Sequence, residues 1–234
     1  MRFGFRAGWA ACPTCRLTIE FCPVRVVVYA EGPGDLGSKS ALVPGSLIPA
    51  GSLGPAHCLV SRALAGIDVE FMTGLHVFGR PPRGGALLHR RTVLRMLAWP
   101  APDLSPDLAV VLVDRDGDAA RRTLLQRIIE ERGAMHPPTI VGVAQEEFES
   151  WLIADPKAAS QVSGSIVEVP RAPDNLMPGE AKRTLADWTA NAGDSFIARR
   201  LIAESMDLEV AANRSNSLRA FLADLRRFVI ASAR

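Results

Sequence analysis

An apolar run, Leu108-Ala-Val-Val-Leu-Val113, followed at once by Asp114-Arg-Asp116-Gly-Asp118, restricts the fold more than any other stretch of this chain. A valine-rich run without polar interruptions suits a strand covered on both faces, as in parallel sheets flanked by helices. In open α/β sheets ligands bind outside the carboxyl ends of the strands, which is where these aspartates fall. Three carboxylates so close repel one another unless a cation lies between them, and Mg2+ or Mn2+ are hard cations that take oxygen ligands. The alternative is an acidic turn before a helix, with Asp118 near the helix N-terminus, although capping needs one acid rather than three.

Strand and helix signals alternate around this run. Residues 24–30 are β-branched, lie between Pro23 and Gly32-Pro-Gly34, and lead into Glu31-Gly-Pro-Gly-Asp35. A Gly-, Pro- and Ser-rich loop over 37–55 precedes a predicted helix over 56–65 and a strand over 67–71. Further helices are predicted over 86–99 and over 119–132, the latter closed by Gly133, and a strand over 139–144 follows Pro137-Pro138. The acidic segment 145–156 reads as a short helix stopped by Pro156. The chain then reads as irregular to Gly179, with helices over 180–192 and 218–233. These signals predict an α/β fold, a mostly parallel sheet flanked by helices. The expected organisation is an N-terminal extension over 1–23, a core over 24–156 with a basic insertion around 71–102, and a C-terminal helical extension over 157–234 packed on the core. At 234 residues and 48% hydrophobic content the chain can bury a full core.

Several function classes fail on spacing. The pair Cys12-Pro-Thr-Cys15 with Cys22 is half a zinc site, because no second pair follows. No span approaches the ~20 apolar residues of a membrane helix, so no membrane partner and a cytoplasmic location are expected. An EF-hand counted from Asp114 would need Gly and Glu where the chain has Ala119 and Leu125. A phosphate-binding loop at Gly32-Pro-Gly-Asp-Leu-Gly37-Ser-Lys39 has Ser38 between the glycine and the lysine, out of register. A haloacid-dehalogenase-like phosphatase, with Asp114 as nucleophile and Asp116 as acid/base, stays open as a weaker reading, since its motif belongs on a first strand and needs a later acidic pair.

Three phrases stand at predicted strand ends: Tyr29-Ala-Glu-Gly-Pro-Gly-Asp35, Val113-Asp-Arg-Asp-Gly-Asp118 and Glu147-Phe-Glu-Ser-Trp-Leu152. In this order they resemble the TOPRIM superfamily of metal-binding modules found in topoisomerases, primases and OLD-type nucleases, and in particular small bacterial TOPRIM-like proteins. The resemblance runs from about Val24 to the C-terminus. It implies a Rossmannoid core with a Mg2+ or Mn2+ site at its carboxyl edge. Asp114 and Asp116 would hold metal, Glu31 would be a ligand or general acid/base, and Asp35, Asp118, Glu147 and Glu149 would be reserve ligands for a second ion. Lys182 would reach the phosphate in the transition state, or else be a solvated helix lysine.

From residue 71 to 102 the chain has no acid and carries Arg80, Arg83, Arg90, Arg91 and Arg95. Such a stretch attracts a polyanion through phosphate contacts, without reading sequence. Scattered aromatic residues give base stacking little support in the sequence. The expected function is therefore metal-dependent phosphodiester hydrolysis of DNA or RNA. The resemblance adds a separate ABC- or AAA-type ATPase partner in anti-phage defence and the alternative of a non-catalytic scaffold subunit for such an ATPase, while an oligomer stays open.

Overall fold

A computed structural model describes residues 22–32, 34–37, 43–101, 103–131, 137–168, 171–190 and 192–232. Cys12, Cys15, Ser38, Lys39, Gly133 and nearly all of the expected N-terminal extension lie outside these residues.

Four strands, β1 (Val24–Ala30), β2 (Val69–Met72), β3 (Leu108–Asp114) and β4 (Thr139–Ala144), form one sheet of order β2-β1-β3-β4. All neighbours are parallel, with Val26 opposite Leu108 and Asp114 opposite Ala144. Parallel neighbours need long crossovers, which carry α1 (Pro55–Ala63), α2 (Arg90–Met96) and α3 (Arg121–Glu130). The α/β class expected from the sequence is thus the observed one.

Side chains alternate across the strands, and both faces are buried. Val26, Val28, Leu108, Val110 and Leu112 join a core with α1 and the C-terminal helices, while Val27, Tyr29, Ala109, Val111 and Val113 join a second core with α2 and α3. That is why the run 108–113 has no polar position. The Tyr29 hydroxyl donates to the Met96 carbonyl at 2.6 Å and accepts from the Leu75 amide at 3.0 Å, tying both ends of the basic insertion to the central strand.

Beyond β4 come α4 (Glu149–Leu152), α5 (Pro156–Ser163), α6 (Glu180–Thr189), α7 (Ser195–Ser205), α8 (Leu208–Arg214) and α9 (Asn216–Ser232). α9 packs across β4, where Phe221 stacks on Trp151 at 5.1 Å between ring centres. Gly142 makes room for them: a Cβ there would stand 2.5 Å from Leu112 Cδ2, 2.9 Å from Phe221 and 3.0 Å from Trp151. Among the described residues no helix is long and apolar enough to cross a membrane.

Several boundaries depart from expectation. The strand expected over 67–71 lies at Val69–Met72. The helix expected over 86–99 is a 3-10 turn, Gly84–Leu88, and then α2, separated by His89 with φ −80° and ψ 120°. Pro156 opens a helix instead of stopping one, because Asp155 caps it through the Lys157 and Ala158 amides and proline suits the first helical position. The stretch to Gly179 is therefore not wholly irregular. α7 and α8 were not expected, although Asp194 and Asp207 cap them.

Candidate functional site

Glu31 and Asp114 come from adjacent strand ends. The Glu31 amide donates to the Leu112 carbonyl at 3.1 Å, extending the β1–β3 ladder by one residue. Its carboxylate then turns back, and Oε2 accepts from the Asp114 amide at 3.0 Å. Asp114 Oδ1 accepts from the Phe148 amide at 2.7 Å, so three chain segments meet at this aspartate. Burial pushes the Asp114 carboxyl up to about 7; the Phe148 amide opposes this, and the nearby Glu149 and Glu31 reinforce it. With Asp35, Phe148 and Trp151, these two acids line a narrow crevice at the sheet edge.

The Asp-Arg-Asp-Gly-Asp segment is a tight turn closed by the Asp118 amide on the Arg115 carbonyl at 2.8 Å. Its centre, Asp116 and Gly117, has φ of 45° and 74°. A left-handed non-glycine residue costs on the order of 1 kcal/mol, and such strain concentrates at functional sites. Asp116 Oδ2 pairs with Arg121 Nη2 at 3.0 Å, while Arg121 Nη1 lies 3.4 Å from Glu31 Oε2 and 2.5 Å from the Asp114 carbonyl. The cation between the clustered carboxylates is thus a guanidinium. Asp118 is exposed and accepts from the Ala120 amide at 2.8 Å, the helix-start role that was the alternative reading for it.

Asp35 and Glu149 share Arg199, at 2.9 Å and 2.8 Å from the same nitrogen. Burial raises the Asp35 carboxyl to about 7, against the pull of Arg199 and with the push of Glu149. Two glycines of the Glu-Gly-Pro-Gly-Asp phrase make this possible. A Cβ on Gly32 would stand 2.3 Å from Asp35 Oδ2, and one on Gly34 would stand 3.0 Å from Arg199 Nη1.

Glu147, expected as a reserve ligand, has both oxygens engaged at the start of α6. It accepts from the Gly179 amide at 3.1 Å and the Lys182 amide at 3.0 Å. Lys182 Nζ lies 3.3 Å from Glu147 Oε1. Partial burial works against the Lys182 charge, but Glu149, Glu147 and Asp114 outweigh it and push its pKa up. Lys182 therefore stands in the field of the site, facing its acids.

Among the described residues no group of three or more acid, histidine or cysteine side chains is arranged to hold a metal ion. None of these residues forms a ready cage of the kind a structural zinc or calcium ion uses. This does not conflict with Mg2+, which keeps several waters and binds through one or two carboxylates together with substrate phosphate. The donors are hard oxygens, and Glu31, Asp35, Asp114, Asp116, Glu147 and Glu149 outnumber Arg121, Arg199 and Lys182, so the edge carries uncompensated negative charge. Glu31 and Asp114 are the two acids that stand on adjacent strand ends.

The basic insertion reaches this edge, since the Gly84 amide donates to the Glu31 carbonyl at 3.0 Å. Arg83 is half-buried, with a buried Nε that has no partner, and Arg80, Arg91 and Arg95 are exposed. Arg90 is engaged by Glu131 at 2.6 Å and differs in this from the other arginines expected to bind phosphate.

Arg121 and Arg199 escaped the sequence reading. Arg121 had a signal: Arg121-Arg122 opens a helix, where the helix dipole favours acids, so a second cause must hold the cation there. Arg199 had none, because its partners lie 164 and 50 residues away. Compared with known proteins, the chain matches one family model over residues 81–226, that of a domain of unknown function, DUF4276. No curated protein and no solved structure matches it.

Proposed function

We propose that this chain, which belongs to the DUF4276 family, hydrolyses phosphodiester bonds of nucleic acid at a TOPRIM-type site that uses Mg2+ or Mn2+. The observation that carries the reading is the acid pair Glu31 and Asp114, set on neighbouring parallel strand ends, with burial lifting Asp114 to about 7 and the nearby Glu149 and Glu31 reinforcing it. A metal ion held there would orient the phosphodiester, activate water and offset charge on the leaving oxygen. Asp114 is aimed by the Phe148 amide and Glu31 by the Asp114 amide, so each acid is fixed before substrate arrives. Arg121 keeps the acids from repelling one another at rest and offers a guanidinium to a bound phosphate. Lys182, lying in the field of Asp114 and Glu149, adds a second cation on the side of α6.

A second reading, a non-catalytic scaffold for an ABC- or AAA-type ATPase, is favoured by one observation: Arg121, Arg199 and Lys182 already engage the acids at rest. Purified chain incubated with supercoiled plasmid and total tRNA in Mn2+ separates the two. Cutting that disappears with a chelator and with Asp114→Asn is the expected result. Metal-independent cutting, or cutting unaffected by the substitution, would overturn the site; silence together with Asp114-independent binding of an ATPase would favour the scaffold.

A further inference from the structure

Phe78 occupies a position that neither packing nor turn geometry accounts for. It forms a two-residue turn with Gly79, closed by the Val77 amide on the Arg80 carbonyl at 2.8 Å and the reverse bond at 3.3 Å. Both central residues have positive φ, 54° at Phe78 and 75° at Gly79. Turns of this kind favour asparagine or glycine at the first place, and a bulky residue there is strained. Phe78 is also 65% exposed, so burial returns little of that cost. What it does contact is cationic: the Arg95 guanidinium lies 4.4 Å from the ring centre and that of Arg91 5.2 Å, one turn apart on α2. Arginines stacked on a ring keep their N–H groups free for phosphate. Six residues on, Gly84 is bonded to the backbone of Glu31, so the turn lies within about 20 Å of chain from the acids.

We propose that Phe78, with Arg91 and Arg95, is a stacking platform for an unpaired base, and that the nucleic acid led to the carboxyl edge is single-stranded or locally melted. This rests on the nucleic-acid reading above and names its substrate class. A duplex hides the faces of its bases, whereas a single strand offers each of them to an aromatic ring while its phosphates meet the arginines. Strain stored in an exposed ring points to a ligand that uses the ring.

Fluorescence anisotropy in a chelator, with a labelled short single strand, its duplex and an abasic strand of equal length, tests the platform apart from cleavage. Expected results are a preference for the single strand over the duplex and the abasic strand, and about tenfold weaker binding for Phe78→Gly. The slope of affinity against salt should stay unchanged in Phe78→Gly and flatten in Arg95→Gln. Phe78→Trp should bind as wild type. Since glycine relieves the strained φ, Phe78→Gly should melt no lower than wild type, which separates lost binding from lost folding. Equal binding of the abasic strand or the duplex, or undiminished binding by Phe78→Gly, would overturn the platform while leaving plasmid cutting intact. Phe78-dependent binding without cutting in Mn2+ would instead overturn the nuclease and keep the platform. If wild type binds none of the three probes, the platform falls, and the nuclease is judged by cutting in Mn2+ alone.

Discussion

At the scale of single residues the site is held under electrostatic tension. Asp114 titrates near 7 in the folded chain and near 3.8 unfolded, because burial and the neighbouring Glu149 and Glu31 disfavour its charge. Between about pH 4 and pH 7 the folded state therefore keeps a proton that the unfolded state has released. The stability this contributes is complete below the unfolded value and is lost as pH rises through the folded one. Asp114→Asn keeps an acceptor for the Phe148 amide and removes the charge. Thermal melts of the metal-free protein should show it more stable than wild type at pH 8, by up to about 4 kcal/mol, with most of the gain gone at pH 4. No gain at pH 8 would mean that the carboxylate is better compensated than its surroundings imply. Coupled to lost cleavage, a gain would identify Asp114 as a residue kept for chemistry at the expense of stability.

At the scale of elements, α9 is fitted to the sheet through a glycine. Phe221 and Trp151 stack over β4 only because Gly142 presents no side chain, with its nearest neighbours 2.5 to 3.0 Å from where a Cβ would be. Gly142→Ala should destabilise by roughly 1–3 kcal/mol through overpacking, and Phe221→Ala by about 3–5 kcal/mol through a cavity. In denaturant titrations, a double variant that loses less than the two single losses combined would show that the methyl fits into the space the ring vacates. The short helices behave differently. α5, α7 and α8 are fixed by Asp155, Asp194 and Asp207 at their N-termini, and Asp155 also accepts from the Asp207 amide at 2.7 Å, tying the start of α5 to that of α8.

At the scale of the whole molecule, two helical layers enclose a sheet whose carboxyl edge gathers acids from β1, β3 and the segment after β4. A divalent ion that binds only the folded state stabilises it by mass action, by about 2.7 kcal/mol at a hundredfold excess over Kd. Mg2+ or Mn2+ should therefore raise the melting temperature of wild type by several degrees and leave Asp114→Asn unmoved; equal shifts in both would place the ion elsewhere. The parallel α/β class, β1 and β4 to the residue, and the Glu31 and Asp114 strand ends are legible in the residues alone, because two-sided burial imposes unbroken apolar runs and parallel topology sends their ends to one edge. The sequence also limited the candidate acids at that edge to a short set. Which partner each acid takes is fixed only in the folded chain. Glu147 turns to the amides of α6, Asp118 to its own turn, Asp35 and Glu149 to Arg199, and Asp116 to Arg121. The Arg199 pairings join residues up to 164 apart in the chain, where no local periodicity or spacing can signal them, since a carboxylate's partner is chosen by distance in space and by the cost of burying its charge alone.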